Sequence, residues 1–284
     1  MIAIATELKK EIKNKMDISL KSEKPQLIHK DPKSFVIGGD MGDIIYHLLF
    51  IKKLGGTKYH IDPSGGANGG KGYIRDGYIA LGDGNPGKFN LSKALFLLPL
   101  LKEQSYLTDV DLYTGDPATA WKHYDVHAGE YHKDDLGIQN LTFFHAKKYD
   151  LDLSDLDDPW LEVHSDIDVP WDPNRNIIIN RTPRYRGNDN YYFFNRQRFD
   201  QKGVFVGLPE EYQDFRQRYG CPNLPYIKTD TALELAEVVN AGDTFVGNGS
   251  LAASIAMGLG KNIEYEFCSV ACHYMFNRSN MQLF

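Results

Sequence analysis

The chain has 284 residues, of which 42% are hydrophobic, 12% aromatic and 25% charged, with a formal net charge of −6. That composition, rich in aromatics, argues against a disordered chain, and its acidic balance disfavours a dedicated nucleic-acid binder, which needs a basic face. No run reaches the ~18 apolar residues of a spanning helix, the start lacks the continuous apolar core of a signal peptide, and an odd, low cysteine count (Cys221, Cys268, Cys272) fits a reducing, cytoplasmic setting.

In chain order, a charged helix is expected over Glu7–Lys15, then a buried strand at Lys33–Ile37 that runs into Gly38-Gly39-Asp40-Met41-Gly42-Asp43. Ile44, Ile45, Leu48, Leu49 and Ile51 recur at helical spacing up to Gly55-Gly56, and Lys58–Ile61 reads as a second strand. Strand, glycine turn, helix, strand is the opening of a doubly wound sheet. Residues 62–90 are glycine-rich and read as a long loop or loose hairpin. A helix over Leu91–Glu103, a strand at Asp109–Tyr113 and a helix over Ile138–Lys148 follow. The proline-punctuated acidic stretch 159–173 marks a boundary, giving two Rossmann-type halves, 1–172 and 173–284. The second half alternates strands at Asn176–Asn180, Gly203–Gly207 and Asp243–Gly247 with helices over Glu210–Tyr219, Thr231–Ala241 and Leu251–Leu259.

Three constellations carry candidate chemistry. A glycine turn between a buried strand and a helix start brings backbone N–H groups to a ligand, which singles out Gly39, Met41, Gly42 and Asp43; a dinucleotide fingerprint is not supported, because the full G-x-G-x-x-G spacing is missing. Asp43 reads either as an acidic helix start or as a functional carboxylate. Arg181, Thr182, Arg184 and Arg186 follow a strand directly, where three guanidinium groups suit bidentate phosphate recognition or form a solvated basic loop. Gly247-Asn248-Gly249-Ser250 precedes Leu251, with Ser250 as a good N-cap and amides able to hold a diphosphate, or is an ordinary strand–helix turn.

In their order, these pieces resemble the bacterial heptosyltransferase-like family of GT-B glycosyltransferases. Met41-Gly42-Asp43 resembles its first loop, Val206-Gly207-Leu208-Pro209-Glu210-Glu211 its ribose-binding strand–turn, and Asp243 to Lys261 its phosphate-binding loop and following helix. The resemblance implies an α/β, GT-B-like fold with a cleft between the two halves. It implies inverting, metal-independent transfer of a sugar from a nucleotide-sugar donor to an acceptor hydroxyl, on a glycan or a similar molecule, with no cofactor. Asp43 would be the general base; Arg181, Arg184, Arg186 and the amides near Gly249, Ser250 and Leu251 would stabilise the departing diphosphate; Glu211, with Glu210 as its rival, would bind the ribose beside Gly207. The last segment, Phe267–Phe284, would return to the first half. Two departures stand out: Asn248 where the family has aspartate, and Ser254 or a neighbour where it has histidine. They keep a nucleotide-sugar-binding protein without transfer activity in view, beside a sugar-nucleotide epimerase of similar architecture.

Other signals point elsewhere. Gly65–Lys71 has P-loop spacing, but Gly72 stands where Ser or Thr should bind magnesium. Asp109-Val110-Asp111 is a D-x-D on one face of a strand, read as a strand end. His127, Glu130 and His132 fit no metal spacing, and Cys268 and Cys272, at helical i, i+4 spacing, are read as packing residues, so no metal site is expected.

Overall fold

The computed structural model describes residues 33–37, 41–63, 74–75, 78–79, 89–114, 126–127, 151–152, 157–164, 169–268 and 278–284. The expected helices at Glu7–Lys15 and Ile138–Lys148, Gly39, the P-loop-like Gly65–Lys71, Glu130, His132 and Cys272 lie outside them, as does the His127 side chain.

The first sheet is built on β1 (Ser34–Ile37), whose Phe35 and Val36 have no exposed surface. A strand buried on both faces reads as a continuous apolar run, as this one does. It pairs in parallel with β2 (Lys58–Ile61), and β2 with β5 (Asp109–Leu112). On its other side lies β6 (Val126–His127), giving the order β5-β2-β1-β6. Within the glycine-rich stretch, β3 (Ile74–Arg75) and β4 (Tyr78–Ile79) form a short antiparallel ladder.

Helix α1 (Met41–Leu54) is buried without interruption from Ile44 to Ile51, including Tyr46 and His47. A helix apolar nearly all round must be covered on both sides. It ends where Gly55, at φ 64°, lets its own N–H reach Lys52 O and that of Gly56 reach Ile51 O, closing the last turn. Helix α2 (Leu91–Lys102) is capped by Asn90, whose Oδ1 accepts from Lys93 N at 3.0 Å.

The second sheet has six parallel strands: β7 (Ile177–Asn180), β8 (Gly203–Val206), β9 (Tyr226–Ile227), β10 (Thr244–Gly247), β11 (Asn262–Tyr265) and β12 (Met281–Leu283). Their spatial order is β12-β11-β10-β7-β8-β9. Read from the other edge this is the doubly wound order 3-2-1-4-5-6, which reverses between β7 and β10. Helices α3 (Asp189–Lys202), α4 (Pro209–Tyr219), α5 (Ala232–Ala241) and α6 (Leu251–Gly258) connect the strands. Helix α3 and strands β9, β11 and β12 were not read from the sequence. The last of these makes the chain end an edge of the second sheet, while Arg278 and Ser279 donate hydrogen bonds back to Asp157. Cys268 follows β11 and lies outside any helix.

Residues 31–284 form one compact unit. One core cluster runs from Phe35 and α1 through α6 to β7, β8, β10 and β11, with α1 packed on α6 and α2 on α5. A second cluster, including Ile177, Ile179, Tyr192, Phe199 and Phe215, covers the opposite face of the second sheet. The alternation is visible within β7, where Ile178 faces the first cluster and its neighbours the second. Trp160 pins the two halves together: its indole donates to Ile45 O at 3.1 Å in α1, and its backbone N–H to Gly258 O at 2.8 Å in α6. Among the described residues, no helix is long and apolar enough to cross a membrane.

Candidate functional site

In doubly wound sheets ligands bind outside the carboxyl ends of the strands, where the strand order reverses. In the second sheet that point lies between β7 and β10. The loops leaving these two strands are tied together by Asn248, which has no exposed surface. Its Oδ1 accepts from Thr182 N at 2.9 Å, and its Nδ2 donates to Thr182 O at 3.1 Å and Arg184 O at 2.6 Å. The side chain must present an acceptor at one end and a donor at the other. An aspartate would lose both donated bonds and set a carboxylate against two carbonyls, which accounts for asparagine here.

Arg181 is also an internal tie, where the sequence suggested a phosphate ligand. Its side chain is 1% exposed and forms a bidentate pair with the fully buried Glu266, Nε to Oε2 at 2.7 Å and Nη2 to Oε1 at 2.6 Å. Its Nη1 donates to Asp189 and to the Tyr219 hydroxyl, and its guanidinium lies over the Tyr192 ring. Burial raises the Glu266 pKa, but the Arg181 hydrogen bonds and the N–H groups of Asn188 and Gly187 outweigh it and hold the carboxyl below its ordinary value. Arg186 is engaged as well, with Asp214 at 2.6 Å and Thr182 O at 3.1 Å. Arg184 is exposed and, among the described residues, pairs with no carboxylate; its guanidinium lies over the Tyr185 ring.

Ser250 caps α6, its Oγ accepting from Ala253 N at 3.1 Å. Gly249 also lies close to its neighbours: a methyl there would lie 3.0 Å from the Tyr185 ring and 3.2 Å from the Tyr265 hydroxyl. Beyond β8, Gly207 sits at φ 134°, and a methyl on it would meet Asn180 Nδ2 at 2.5 Å and Glu211 Oε2 at 2.7 Å. Glu211 is buried and accepts from Leu208 N at 3.0 Å, and desolvation raises its pKa. Glu210 is exposed. Of the two carboxylates, Glu211 is the one turned inward beside Gly207.

The first sheet leads into α1, which packs on α6. Asp43 is in the first turn of α1 and partly buried, where the helix dipole favours a carboxylate. It lies near the buried phenol of Tyr59, whose pKa is raised by burial, then by Tyr106 and Asp43. Gly42 faces α6 directly: a methyl on it would stand 3.6 Å from Ser254 Oγ and 3.9 Å from Ser250 O. Ser254, fully buried, donates to Leu251 O at 2.7 Å. The start of α1, with Met41 and Asp43, therefore abuts the start of α6. Asp109 opens β5 at its amino end, bound by His60 at 3.0 Å, and Asp111 accepts from Leu112 N at 2.8 Å.

Tyr265 was not singled out in the sequence, and Tyr185 only as a member of the arginine loop after β7. A lone tyrosine carries no spacing signal, and the sheet order brings these two to Gly249.

No family model and no curated protein matches the chain. Among solved structures, the glycosyl transferase family 9 protein from Veillonella parvula DSM 2008 aligns at 13% identity and TM-score 0.52, over 90% of this chain and 87% of that one. E. coli heptosyltransferase WaaC with ADP-2-deoxy-2-fluoro heptose aligns at 9% identity and TM-score 0.46, over 88% and 92% of the two chains. With its two parallel α/β sheets, the chain has the GT-B fold of that family 9 glycosyl transferase structure.

Proposed function

We propose that the protein is a glycosyltransferase that moves a sugar from a nucleotide-sugar donor to an acceptor hydroxyl, with inversion and without a metal. Residues 1–172 serve the acceptor and 173–284 the donor. The observation that carries this reading is the meeting of the α1 start, bearing Asp43, with the α6 start, 3.6 Å from a Gly42 methyl to Ser254 Oγ. It supports a pairing of the Asp43 carboxylate, from the first turn of α1, with the helix-terminal amides of α6, the two groups an inverting transfer needs. Asp43 takes the acceptor proton as the oxygen attacks the anomeric carbon, and the diphosphate departs with the electron pair of the broken bond. The Gly249–Leu251 amides, the α6 dipole and Arg184 stabilise the developing charge. Glu211 binds the ribose hydroxyls beside Gly207.

A second reading, donor binding without transfer, draws support from Asn248 and Arg181, whose polar groups hold the loop together. A nucleotide-sugar panel, assayed for transfer and hydrolysis with wild type and Asp43→Asn, separates the two. Turnover by wild type alone supports the enzyme; binding without turnover by either supports the second reading.

A further inference from the structure

Tyr265 ends β11 at the carboxyl edge of the second sheet and is 2% exposed. Among the described residues its hydroxyl has no hydrogen-bond partner. A buried phenol almost always finds one, because leaving the group unmet forfeits its hydration with nothing in return. The hydroxyl is aimed at the loop before α6, 3.2 Å from the position of a Gly249 methyl, and glycine at 249 is what lets it come so near. The Tyr185 ring brackets the same glycine, from a residue held at φ 58°. That is an uncommon conformation for a side chain of this size. An orphaned donor and an uncommon backbone thus converge at one point, the N-terminus of α6.

We infer that the Tyr265 hydroxyl is a ligand-binding donor, which donates a hydrogen bond to a phosphate oxygen of the nucleotide donor when Tyr185 shifts off Gly249. This rests on the reading of the α6 start as a diphosphate site and names a residue that completes it. Burial raises the phenol pKa, with Tyr185, Cys268 and Glu266 adding to it, so the group is protonated and donates. The chemistry selected is an anionic oxygen. A phenol O–H forms a stronger bond with a charged phosphate oxygen than with a neutral sugar hydroxyl.

The test is Tyr265→Phe in the full chain. Thermal unfolding without ligand is measured beside calorimetric binding of ADP, UDP, GDP and inorganic pyrophosphate. The expected result is an unfolding temperature equal to or above wild type, because the orphaned hydroxyl has been removed, with affinity at least about tenfold weaker for every probe that wild type binds. The loss should be of similar size whatever the base, because the contact is to phosphate. Equal binding by the two proteins overturns the inference and leaves the diphosphate site standing. So does a clear fall in unfolding temperature, which gives the hydroxyl a structural partner. Absence of binding by wild type to all four probes overturns the inference together with the reading on which it rests.

Discussion

Replacing Glu266 by alanine separates the internal role of Arg181 from the phosphate-binding role its position in the sequence suggests. The Arg181 and Glu266 side chains are 1% and 0% exposed, joined by two bonds of 2.6 and 2.7 Å. Glu266 Oε1 also accepts from Gly187 N at 2.7 Å and Asn188 N at 2.8 Å, so it organises the whole turn before α3. Removing one partner of a buried pair leaves the other charge uncompensated, at a cost of about 3–5 kcal/mol. The two orphaned amides add to this, while the remaining Arg181 bonds to Asp189 and Tyr219 offset part of it. For a fold of this size the loss corresponds to a fall of roughly 6–20 °C in unfolding temperature. Urea unfolding of Glu266→Ala, Arg181→Met and the double variant forms a cycle, in which the double variant should be markedly more stable than the sum of the single losses. A cost under about 1 kcal/mol for Glu266→Ala would refute the reasoning and return Arg181 to the candidate phosphate ligands.

The remaining predictions concern the same loops and the seam between the halves. Asn248→Asp should destabilise by about 2 kcal/mol or more through lost donors to Thr182 O and Arg184 O, read by urea midpoint. Gly42→Ala should be neutral or up to about 1 kcal/mol stabilising, since its methyl meets Ser254 at an ordinary 3.6 Å. Gly42→Val should press α1 off α6 and cost about 1–3 kcal/mol; equal stability of the two variants would deny the close approach. Glu266, depressed below its ordinary 4.5, contributes stability that is present above that value and lost as pH falls through its folded pKa. The acid limb of the wild-type stability curve should therefore be steeper than that of Glu266→Gln, measured by urea midpoints across acid pH.

What the sequence disclosed follows from where its apolar residues lie. The run before Gly38 and the isoleucines of β7 announce central parallel strands, and Ser250 before Leu251 announces a capped helix; the structure has all three. Helix α3 escaped notice because, of its fourteen residues, only Tyr192 and Phe199 are buried, two turns apart, while Phe193 and Phe194 point to solvent. No continuous helical stripe exists to be read. Strands β9 and β12 have two and three residues, too few for any periodicity. Gly249 and Ser250 were legible as a strand–helix turn from local chemistry alone. Arg181 was not, since the fact that decides its role is a carboxylate 85 positions away on the far side of β10. Tyr265 was hidden for the same reason: its neighbour Gly249 is fixed by sheet order.

The central claim is that Asp43 acts as a base against a donor held at the α6 start. Its most direct test is sugar transfer from a nucleotide-sugar panel by wild type and Asp43→Asn, with donor affinity measured in parallel. The account predicts turnover by wild type, about 10²–10⁴-fold slower turnover by Asp43→Asn, and similar donor affinity for both. Equal rates for the two proteins, or tight donor binding with no turnover by wild type, would contradict it.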